Sequence, residues 1–239
     1  IVFMVAAAAG ETWVPLGSGM NADVYALTYD SAGNLVAAGS FTSAGGVTAN
    51  RIAQWNGSSW SPLGSGMNGE IYALATDNLG NLYAGGNFTS AGEVTATRIA
   101  KWDGTAWSAL GSGMDAEVYA LAVASNGNVY AGGTFTNAGG VTVSRIARWN
   151  GTAWSDVGGG TNARINALVF DSAGNLYAGG SFTTPAARVA RWDGTTWSAL
   201  GSGVSNTVRA LKFDGSGNLY AGGAFATASG GAASRIARW

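Results

Sequence analysis

The sequence contains no cysteine and no histidine. Disulfides and thiolate metal sites are therefore excluded, and the commonest general base and metal ligand of proteins is missing. Catalysis by a serine–histidine pair or by a cysteine nucleophile is excluded for the same reason. Proline is rare as well, with 3 residues against 39 glycines, so we expect the turns to be built on glycine.

Charge is also scarce. Only 10% of the 239 residues are charged, and the formal net charge is −1. Nucleic-acid binding needs a basic face, which 12 Lys and Arg beside 13 Asp and Glu do not supply. No apolar run approaches the roughly 20 residues that cross a bilayer. A chain without cysteine, poor in lysine and rich in Gly, Ser, Thr and Asn is typical of a bacterial secreted or cell-surface protein, and this is the location we expect.

One unit is repeated along the chain. The phrase "LGSGM" begins at Leu16, Leu63 and Leu110, in steps of 47 residues, and degenerate copies begin at Val157 and Leu200. Each unit contains four short strand-like runs. The first run begins with a β-branched residue at Val24, Ile71, Val118, Ile165 and Val208. The second run is "NLYAGG" or a close variant. The third run begins at Arg51, Arg98, Arg145, Arg188 and Arg235, and the fourth carries Trp60, Trp107, Trp154 or Trp197.

The residues between these runs predict antiparallel hairpins. The first and second runs are joined by "DSAGN" or a variant, and the third and fourth by "NGSS" or "DGTA". Asn-Gly and Asp-Gly pairs favour tight hairpins. Four-stranded antiparallel units with a period of about 40 to 50 residues are typical of β-propeller blades. The predicted fold class is therefore all-β, a five-bladed β-propeller of four-stranded antiparallel blades, formed by residues 12–239 as a single domain.

The number of runs predicts how the ring closes. Five copies of the first three runs occur, but only four copies of the fourth run follow them. The segment "ETWVPLGSGM" aligns its Trp13 and Leu16 with Trp60 and Leu63. We therefore expect residues 12–17 to provide the fourth strand of the last blade, beside "RIARW" at residues 235–239. Residues 1–11 are expected to form a tail outside the ring, as the remnant of a signal peptide or as a plain strand or linker.

Two repeated side chains have structural interpretations. The tryptophans are expected to fill the wide outer part of each blade, with exposed platforms for sugar rings as the alternative. The five arginines that open the third runs are expected to bond loop carbonyls or to stack on aromatic rings. A ring of arginines that binds an anion is the alternative for these residues.

The order of motifs resembles a known type of repeat. The pattern "AGGxFTSAGGVxAxRIAxWNGxxWSxLGSGM" resembles the kelch-type blade, more specifically the cortical cell-polarity-marker repeat and its bacterial secreted relatives. The resemblance covers residues 12–239 and implies a propeller without implying a ligand. The five units and their period also resemble the tachylectin-type lectin, a five-bladed propeller that binds N-acetylated sugars. Its binding motif has no match in this sequence.

The longer loops of the predicted propeller collect on one face. They precede the first strands ("GMNAD" and its copies) and connect the second strands to the third ("TSAGGVTAN" and its copies). The candidate ligand-binding residues occupy two equivalent positions in the first set of loops: Asn21, Asn68, Asp115, Asn162 and Ser205, then Asp23, Glu70 and Glu117. Carboxylates with amide oxygens suit Ca²⁺, so a cation held by the three acids of the second position is an alternative. The expectation is that neither a metal nor a cofactor binds.

The sequence predicts that the chain is not an enzyme, because the acids recur with the repeat whereas an active site breaks symmetry. Two hypotheses about function follow. The first is an extracellular structural or interaction module that presents repeated loops to a protein partner or to copies of itself. The second is a multivalent lectin with up to five equivalent sites between blades, whose avidity comes from repetition. A lectin should expose Trp or Tyr beside Asn or Asp on the loop face, whereas an interaction module should expose an apolar loop patch or a sheet edge.

Overall fold

The computed structural model describes residues 12–239, and within this range the chain forms strands, turns and loops. The tail predicted for residues 1–11 lies outside the described residues. The first unit contains β1 (Val24–Tyr29), β2 (Leu35–Gly39), β3 (Ser43–Ala44), β4 (Val47–Thr48), β5 (Ile52–Trp55) and β6 (Trp60–Pro62). The second contains β7 (Ile71–Thr76), β8 (Leu82–Gly86), β9 (Ser90–Ala91), β10 (Val94–Thr95), β11 (Ile99–Trp102) and β12 (Trp107–Ala109).

The remaining units follow the same plan. The third contains β13 (Val118–Val123), β14 (Val129–Gly133), β15 (Asn137–Ala138), β16 (Val141–Thr142), β17 (Ile146–Trp149) and β18 (Trp154–Asp156). The fourth contains β19 (Ile165–Phe170), β20 (Leu176–Gly180), β21 (Val189–Trp192) and β22 (Trp197–Ala199). The fifth contains β23 (Val208–Phe213), β24 (Leu219–Gly223), β25 (Thr227–Ala228), β26 (Gly231–Ala232) and β27 (Ile236–Arg238).

Each unit is one blade of an antiparallel meander. Blades 1 to 4 have four main strands each, in sequence order from the first strand to the fourth, as in β1-β2-β5-β6. The first strands of successive blades pack beside one another, from β1 through β7, β13 and β19 to β23, so they form the inner side of the arc. The prediction of an all-β, five-bladed propeller is confirmed. No helix that could span a membrane occurs in residues 12–239.

Turn chemistry explains the hairpin that joins the first and second strands of each blade. In blade 2, Asp77 Oδ1 accepts hydrogen bonds from the backbone N–H groups of Leu79 and Asn81 at 2.9 and 2.8 Å. Gly80 adopts a φ of +86°, which suits a residue without a side chain. The turn fixes the register in which Thr76 lies opposite Leu82. These turns lie at the end of the blade opposite the longer loops.

Neighbouring blades join through a side chain on one blade and a bare glycine on the other. A Cβ added to Gly85 of β8 would lie 2.5 Å from Val118 Cγ1 and 3.3 Å from Leu121 Cδ1 of β13. Glycine therefore leaves room for the next blade, and Val118 is completely buried there. Within each blade, one phenylalanine after the second strand is also fully buried: Phe41, Phe88, Phe135, Phe182 and Phe225.

Tryptophan joins the blades again at their outer side. In blade 2 the rings of Trp102 and Trp107 lie 5.3 Å apart and tilted, and Trp107 is 5% exposed. The Trp107 indole Nε1 donates a hydrogen bond to the carbonyl oxygen of Leu63, 2.9 Å away, in the segment that leaves blade 1. The same bond recurs from Trp60, Trp154 and Trp197. In blades 2 to 4 the fourth strand is thus anchored to the segment that leaves the blade before it.

The arginines that precede the third strands adopt an unusual backbone conformation. Arg51, Arg98, Arg145, Arg188 and Arg235 have φ values between 65° and 72°, in the left-handed region that residues with a side chain rarely occupy. The Arg98 guanidinium donates a hydrogen bond to the carbonyl oxygen of Met114 at 2.8 Å. The loop-carbonyl bond expected for these arginines is therefore present in blade 2.

The predicted closure of the ring by residues 12–17 is wrong. Blade 5 has three main strands, β23-β24-β27, and residues 12–17 form no strand. The segment that follows Trp13 makes the same contact with blade 1 that Leu63 makes with blade 2, because Trp60 Nε1 donates to the Leu16 carbonyl at 2.8 Å and Gly45 N–H donates to the Gly19 carbonyl at 2.7 Å. Blade 1 does not reach blade 5, so Val24 and Leu27 of β1 remain 41% and 62% exposed.

Substitution of two adjacent glycines, Gly139 and Gly140, measures how tightly the tryptophans pack in the outer wedge, which is the wide outer part of each blade. A Cβ on Gly139 would lie 2.5 Å from Trp154 Cδ1, whereas a Cβ on Gly140 would meet nothing within 4 Å, and both residues have positive φ. Alanine at either position carries the left-handed backbone cost of roughly 1–2 kcal/mol. We expect Gly139→Ala to lower the free energy of unfolding by about 1–3 kcal/mol more than Gly140→Ala, because only the first overpacks the wedge. Urea denaturation followed by tryptophan fluorescence measures the difference, and equal midpoints would contradict it.

Candidate functional site

The first set of predicted site residues organises the loops of its own blade. The side-chain oxygen of each residue accepts hydrogen bonds from two consecutive backbone N–H groups of the loop after the second strand, at distances of 2.8 to 3.1 Å. These residues are Asn21, Asn68, Asp115, Asn162 and Ser205. The side chains are solvent-exposed, but one oxygen of each is already engaged. Their role in ligand binding stays a prediction, and their structural role is to join two loops into one surface.

Asp115 is the only charged member of that set. Partial burial raises the pKa of Asp115, but hydrogen bonds from the Thr136 hydroxyl and from the backbone N–H groups of Asn137 and Thr136 oppose this and lower the pKa overall. The Thr136 hydroxyl lies 2.7 Å from Asp115 Oδ2. In blade 2 the equivalent hydrogen bond runs in the opposite direction, since Asn68 Nδ2 donates to Thr89 Oγ1 at 2.8 Å. An amide and a carboxylate therefore serve equally at this position.

The second set of predicted residues is positioned by close contact between two backbone segments, the residue before each first strand and the glycine that ends the second strand of the same blade. A Cβ on Gly86, at the end of β8, would overlap the carbonyl oxygen of Glu70, and Gly133 stands in the same relation to Glu117. The Glu70 carbonyl accepts a hydrogen bond from Asn87 N–H at 3.0 Å. The residues at this position, which include Asp23, are therefore fixed at the start of each first strand. The three acids do not converge: among residues 12–239 no group of three acidic side chains could hold a metal ion.

Both glutamates of the second set have specific partners. Tyr72 donates its hydroxyl hydrogen to Glu70 Oε2 at 2.6 Å and accepts one from Asn87 Nδ2 at 3.1 Å. Burial raises the pKa of Tyr72, and the bond to Glu70 raises it further. Thr134 donates to Glu117 Oε2 at 2.7 Å. This bond, together with the backbone N–H of Glu117, lowers the pKa of Glu117. Glu117 is therefore a carboxylate over the whole physiological pH range.

A row of tyrosines runs beside these acids, and the sequence analysis missed it. Tyr25, Tyr72 and Tyr119 are the second residues of β1, β7 and β13, and we call them the tyrosine row. Their ring centroids lie 5.7 Å and 4.9 Å apart, and the rings of Tyr72 and Tyr119 are stacked with an interplanar angle of 12°. All three remain at least partly exposed. The row is a continuous aromatic surface across three blades.

Blades 4 and 5 depart from this pattern. Asn166 and Arg209 replace the tyrosine, and Arg164 and Thr207 replace the acid. The Arg164 guanidinium lies over the Tyr119 ring, 4.8 Å from its centroid, and so ends the row with a cation–π contact. Asn166 Nδ2 donates instead to the backbone carbonyl of Val208 at 2.7 Å. The departure of "INAL" and "VRAL" from "VYAL" was the signal in the sequence that this end of the molecule is not symmetric.

A second type of surface lies between blades at the outer rim. One cleft of about 330 Å³ is lined by Gly64 and Ser65, by Val94 of the short hairpin, and by Trp102 and Trp107. Trp102 is half-buried, and Thr105 adds a hydroxyl group to the lining. At the hairpin tips Val47, Val94 and Val141 are 41%, 39% and 37% exposed. Exposed valines thus mark the hairpin tips of blades 1 to 3, and in blade 2 the valine adjoins a cleft lined by two tryptophans.

Comparison with protein families identifies the repeat. The family model described as the Rax2 C-terminal beta propeller domain matches residues 11–159, which is more than half of the chain. The chain belongs to this family. A search of curated proteins finds no match. The kelch-type and tachylectin-type resemblances stay predictions, whereas membership of a propeller family is confirmed.

Several solved structures share the fold at low sequence identity. The extracellular domain of a hybrid two-component system from B. thetaiotaomicron matches 84% of this chain with a TM-score of 0.55 and 15% identity, and this chain spans 26% of that one. A gluconolactonase from Xanthomonas campestris matches 84% of this chain and 69% of its own, with a TM-score of 0.53 and 14% identity. A streptogramin B lyase matches 90% of this chain and 68% of its own, with a TM-score of 0.54 and 12% identity.

These comparisons correct the prediction that the chain is not an enzyme. A gluconolactonase and a streptogramin B lyase are built on this fold. The reasoning behind the prediction also fails on the structure, because the loop end is not symmetric: Tyr72 and Glu70 in blade 2 correspond to Asn166 and Arg164 in blade 4. Identities of 14% and 12% show the fold alone, so no reaction passes to this chain from these two proteins.

Substitution of Asp115 separates its structural role from its charge. Asp115→Ala removes the acceptor of two backbone N–H groups, so we expect it to lower the free energy of unfolding by about 1–3 kcal/mol. Asp115→Asn should be nearly neutral at pH 7, because Asn68 makes the same two bonds in blade 2. Urea denaturation at pH 7 compares the two variants, and an unchanged midpoint for Asp115→Ala would refute the loop-joining role.

The pH dependence follows from the lowered pKa of Asp115. A carboxyl whose folded pKa lies below its ordinary value of 3.8 adds stability that is present above that value and is lost as the pH falls through the folded pKa. Wild type should therefore lose more stability between pH 5 and about pH 2.5 than Asp115→Asn, which has no proton to bind at this position. Parallel acid denaturation curves for the two proteins would contradict this linkage.

Proposed function

We propose that this chain is an extracellular interaction module that binds a protein partner at the loop end of blades 1 to 3. The observation that carries the proposal is the tyrosine row, a continuous aromatic surface with acidic groups beside it. Tyrosine is enriched at protein interfaces because its ring provides large contact area while its hydroxyl bonds to polar groups. An extracellular domain with this fold supports the location, which is secreted or on the cell surface.

The charges around the row indicate the chemistry of the partner. Asp23, Glu70 and Glu117 provide three acidic side chains along blades 1 to 3, whereas Arg164 and Arg209 lie on blades 4 and 5. A partner segment with basic and aromatic residues would place its basic groups over blades 1 to 3. Interfacial charges of opposite sign orient the partner and raise the rate of association. The two arginines on blades 4 and 5 would repel these basic groups and so determine the direction in which the partner segment lies.

A second function is favoured by the rim cleft of blade 2. This cleft brings Trp102 beside the hydroxyl-bearing residues Thr105 and Ser65. Sugar rings stack on aromatic side chains and bond to such groups, so a multivalent lectin is the alternative. Repeated weak sites between blades would then act together. A glycan array followed by titration distinguishes this alternative, since saturable binding of several sugars per chain would establish it.

The protein-binding proposal is tested by selecting peptides from a displayed random library against the immobilised domain. We expect enrichment of peptides with lysine or arginine beside an aromatic residue. Glu117→Gln should weaken a selected peptide about tenfold, which corresponds to about 1.4 kcal/mol. Tyr119→Ser should weaken it at least as much, because it interrupts the row.

A matched control uses the same change of charge elsewhere. Glu93 is exposed at the hairpin tip of blade 2, away from the tyrosine row, so Glu93→Gln should leave peptide binding unchanged. Because the pKa of Glu117 is lowered, binding should persist as the pH falls from 7 to about 5. Equal loss of binding in Glu93→Gln and Glu117→Gln would show a non-specific charge effect. A library that yields no binder sensitive to Tyr119→Ser would overturn the proposal.

A further inference from the structure

Blade 3 lacks an acid that the other four blades carry in the hairpin between the first and second strands. In blades 1, 2, 4 and 5 this acid is Asp30, Asp77, Asp171 and Asp214. Blade 3 has Ala124 at the same position. The backbone of the turn is unchanged, since Gly127 N–H donates to the Ala124 carbonyl and Ala124 N–H donates to the Asn128 carbonyl, both at 2.9 Å. Blade 3 therefore keeps the hairpin and loses only the carboxylate.

In the other blades this carboxylate accepts hydrogen bonds from side chains at three positions. In blade 2, Asp77 Oδ2 accepts one from Asn81 Nδ2 at 2.7 Å and one from the Tyr83 hydroxyl at 3.0 Å. In blade 1, Asp30 Oδ2 accepts one from Gln54 Nε2, on the third strand. The three donor positions are therefore the asparagine after the turn, the second residue of the second strand and the third residue of the third strand.

Blade 3 keeps the three donors without the acid. Asn128, Tyr130 and Arg148 occupy these positions, and Tyr130 lies directly opposite Arg148 in the pairing of β14 with β17. Tyr130 is 8% exposed, and Arg148 Nε is buried without a hydrogen-bond partner among residues 12–239. Asn126 Oδ1 accepts the backbone N–H of Asn128 at 3.1 Å and so replaces one oxygen of the missing carboxylate. The side chain of Ala124 provides no replacement for the other oxygen.

The three donors line one cavity together with Ala124. This cavity measures about 560 Å³ and lies between blades 3 and 4, at the end of the blades opposite the longer loops. Phe170 adds an aromatic wall, and its ring packs edge-on against the Tyr130 ring at a centroid distance of 5.4 Å. The whole lining comes from residues 124–194, in the interior of the repeat. The cavity therefore has the donors of an aspartate site and space in place of the aspartate.

The charges at the cavity favour a ligand with a single negative charge. Arg148 supplies one positive charge, and Asp171 of blade 4 also lines the cavity. Asp171 is held in its own turn, where Oδ1 accepts the N–H groups of Ala173 and Asn175 at 3.0 and 2.8 Å. Burial raises the pKa of Asp171, but these bonds and that from Asn175 Nδ2 lower it overall, so Asp171 is negative at pH 7. A doubly charged anion would be repelled more strongly by Asp171 than a monovalent carboxylate.

We propose that this cavity binds a small hydroxylated carboxylic acid, whose carboxylate takes the place of the missing aspartate between Asn128 Nδ2, the Tyr130 hydroxyl and the Arg148 guanidinium. Hydrogen bonds from arginine to a carboxylate are assisted by charge and are stronger than neutral ones. Ser125 and Ser172 line the rest of the cavity and provide partners for the hydroxyl groups of the ligand. The site lies at the opposite end of the blades from the tyrosine row and goes beyond the proposed function.

NMR titration of the isotope-labelled full chain with sodium glucuronate tests the proposal. Glucuronate should bind saturably with a Kd of about 1 mM, as expected for a ligand of its size, and should shift the amide signals of Asn126 and Asn128. Glucose, which lacks the carboxylate, should leave these signals unchanged, and sodium acetate should shift them at higher concentration.

Two charge variants locate the site. Arg148→Gln should weaken glucuronate at least tenfold, and the fold accepts glutamine here because Gln54 has the equivalent position in blade 1. Lys101→Gln makes the same change of charge at this position of blade 2, where Asp77 is present, so it should leave binding unchanged.

Ala124→Asp should change stability and binding in opposite directions. The new carboxylate should accept the hydrogen bonds that Asp77 accepts in blade 2, so we expect a higher melting temperature. The same carboxylate occupies the place of the ligand, so glucuronate binding should be lost.

Three outcomes would overturn the proposal. The first is that neither glucuronate nor acetate shifts the signals of the cavity, or that glucose shifts them equally. The second is glucuronate binding that persists in Arg148→Gln or in Ala124→Asp. The third is tighter binding of inorganic phosphate than of glucuronate, which would show a general anion site. These outcomes are independent of the loop end, because peptides selected against the tyrosine row should bind Ala124→Asp as well as wild type.

Discussion

The structure depends on one contact, in which the valine or isoleucine that opens the first strand of blades 3 to 5 fills the space left by a glycine in the blade before. A Cβ on Gly132 would lie 2.6 Å from Ile165 Cγ2, so even a methyl group would displace the next blade. Close packing of this kind determines both the distance and the orientation of neighbouring sheets. Blade 1 carries Ala38 at the equivalent position, and Ala38 is fully buried, so this junction accommodates a methyl group. The same type of junction therefore occurs with alanine in blade 1 and with glycine in blades 2 to 4.

The same contact places the candidate site. Because the first strands are held side by side, the residues that follow the β-branched position come close together across blades, and the tyrosine rings reach spacings of 5.7 and 4.9 Å. The glycine that ends the second strand fixes the backbone of Glu70 and Glu117 one step earlier in the chain. The tyrosines thus lie on the first strands, and the glutamates directly precede these strands. A partner that binds there meets a preformed surface, and preorganisation reduces the ordering cost of binding.

The fold could be predicted from the sequence because each local rule is repeated four or five times. The Asn-Gly and Asp-Gly turns, the arginine before each third strand and the tryptophan of each fourth strand mark the same blade in register. Closure could not be predicted. Counting strands shows that the segment around Trp13 corresponds to the fourth strand expected beside Trp239. It does not show whether the arc of blades brings these two segments together. The loop-joining role of Asn68 was also hidden, since its partners Thr89 and Ser90 are distant in sequence and meet only in the folded blade. Equivalent positions therefore predict packing more reliably than they predict ligands.

The departures from the repeat are informative about chemistry for a physical reason. A side chain that packs between blades meets the same neighbour in each unit, so its replacement disrupts a junction that the fold requires. A side chain at the loop end, such as Tyr119, faces solvent on one side, and the fold remains intact when Asn166 or Arg209 takes its place. Such positions are free to vary, and variation there changes binding without changing the scaffold. Since enzymes are also built on propellers, symmetry of the core says nothing about activity. The asymmetric loop end, from the tyrosine row to Arg209, is the part of this chain where a reaction or a ligand should be sought.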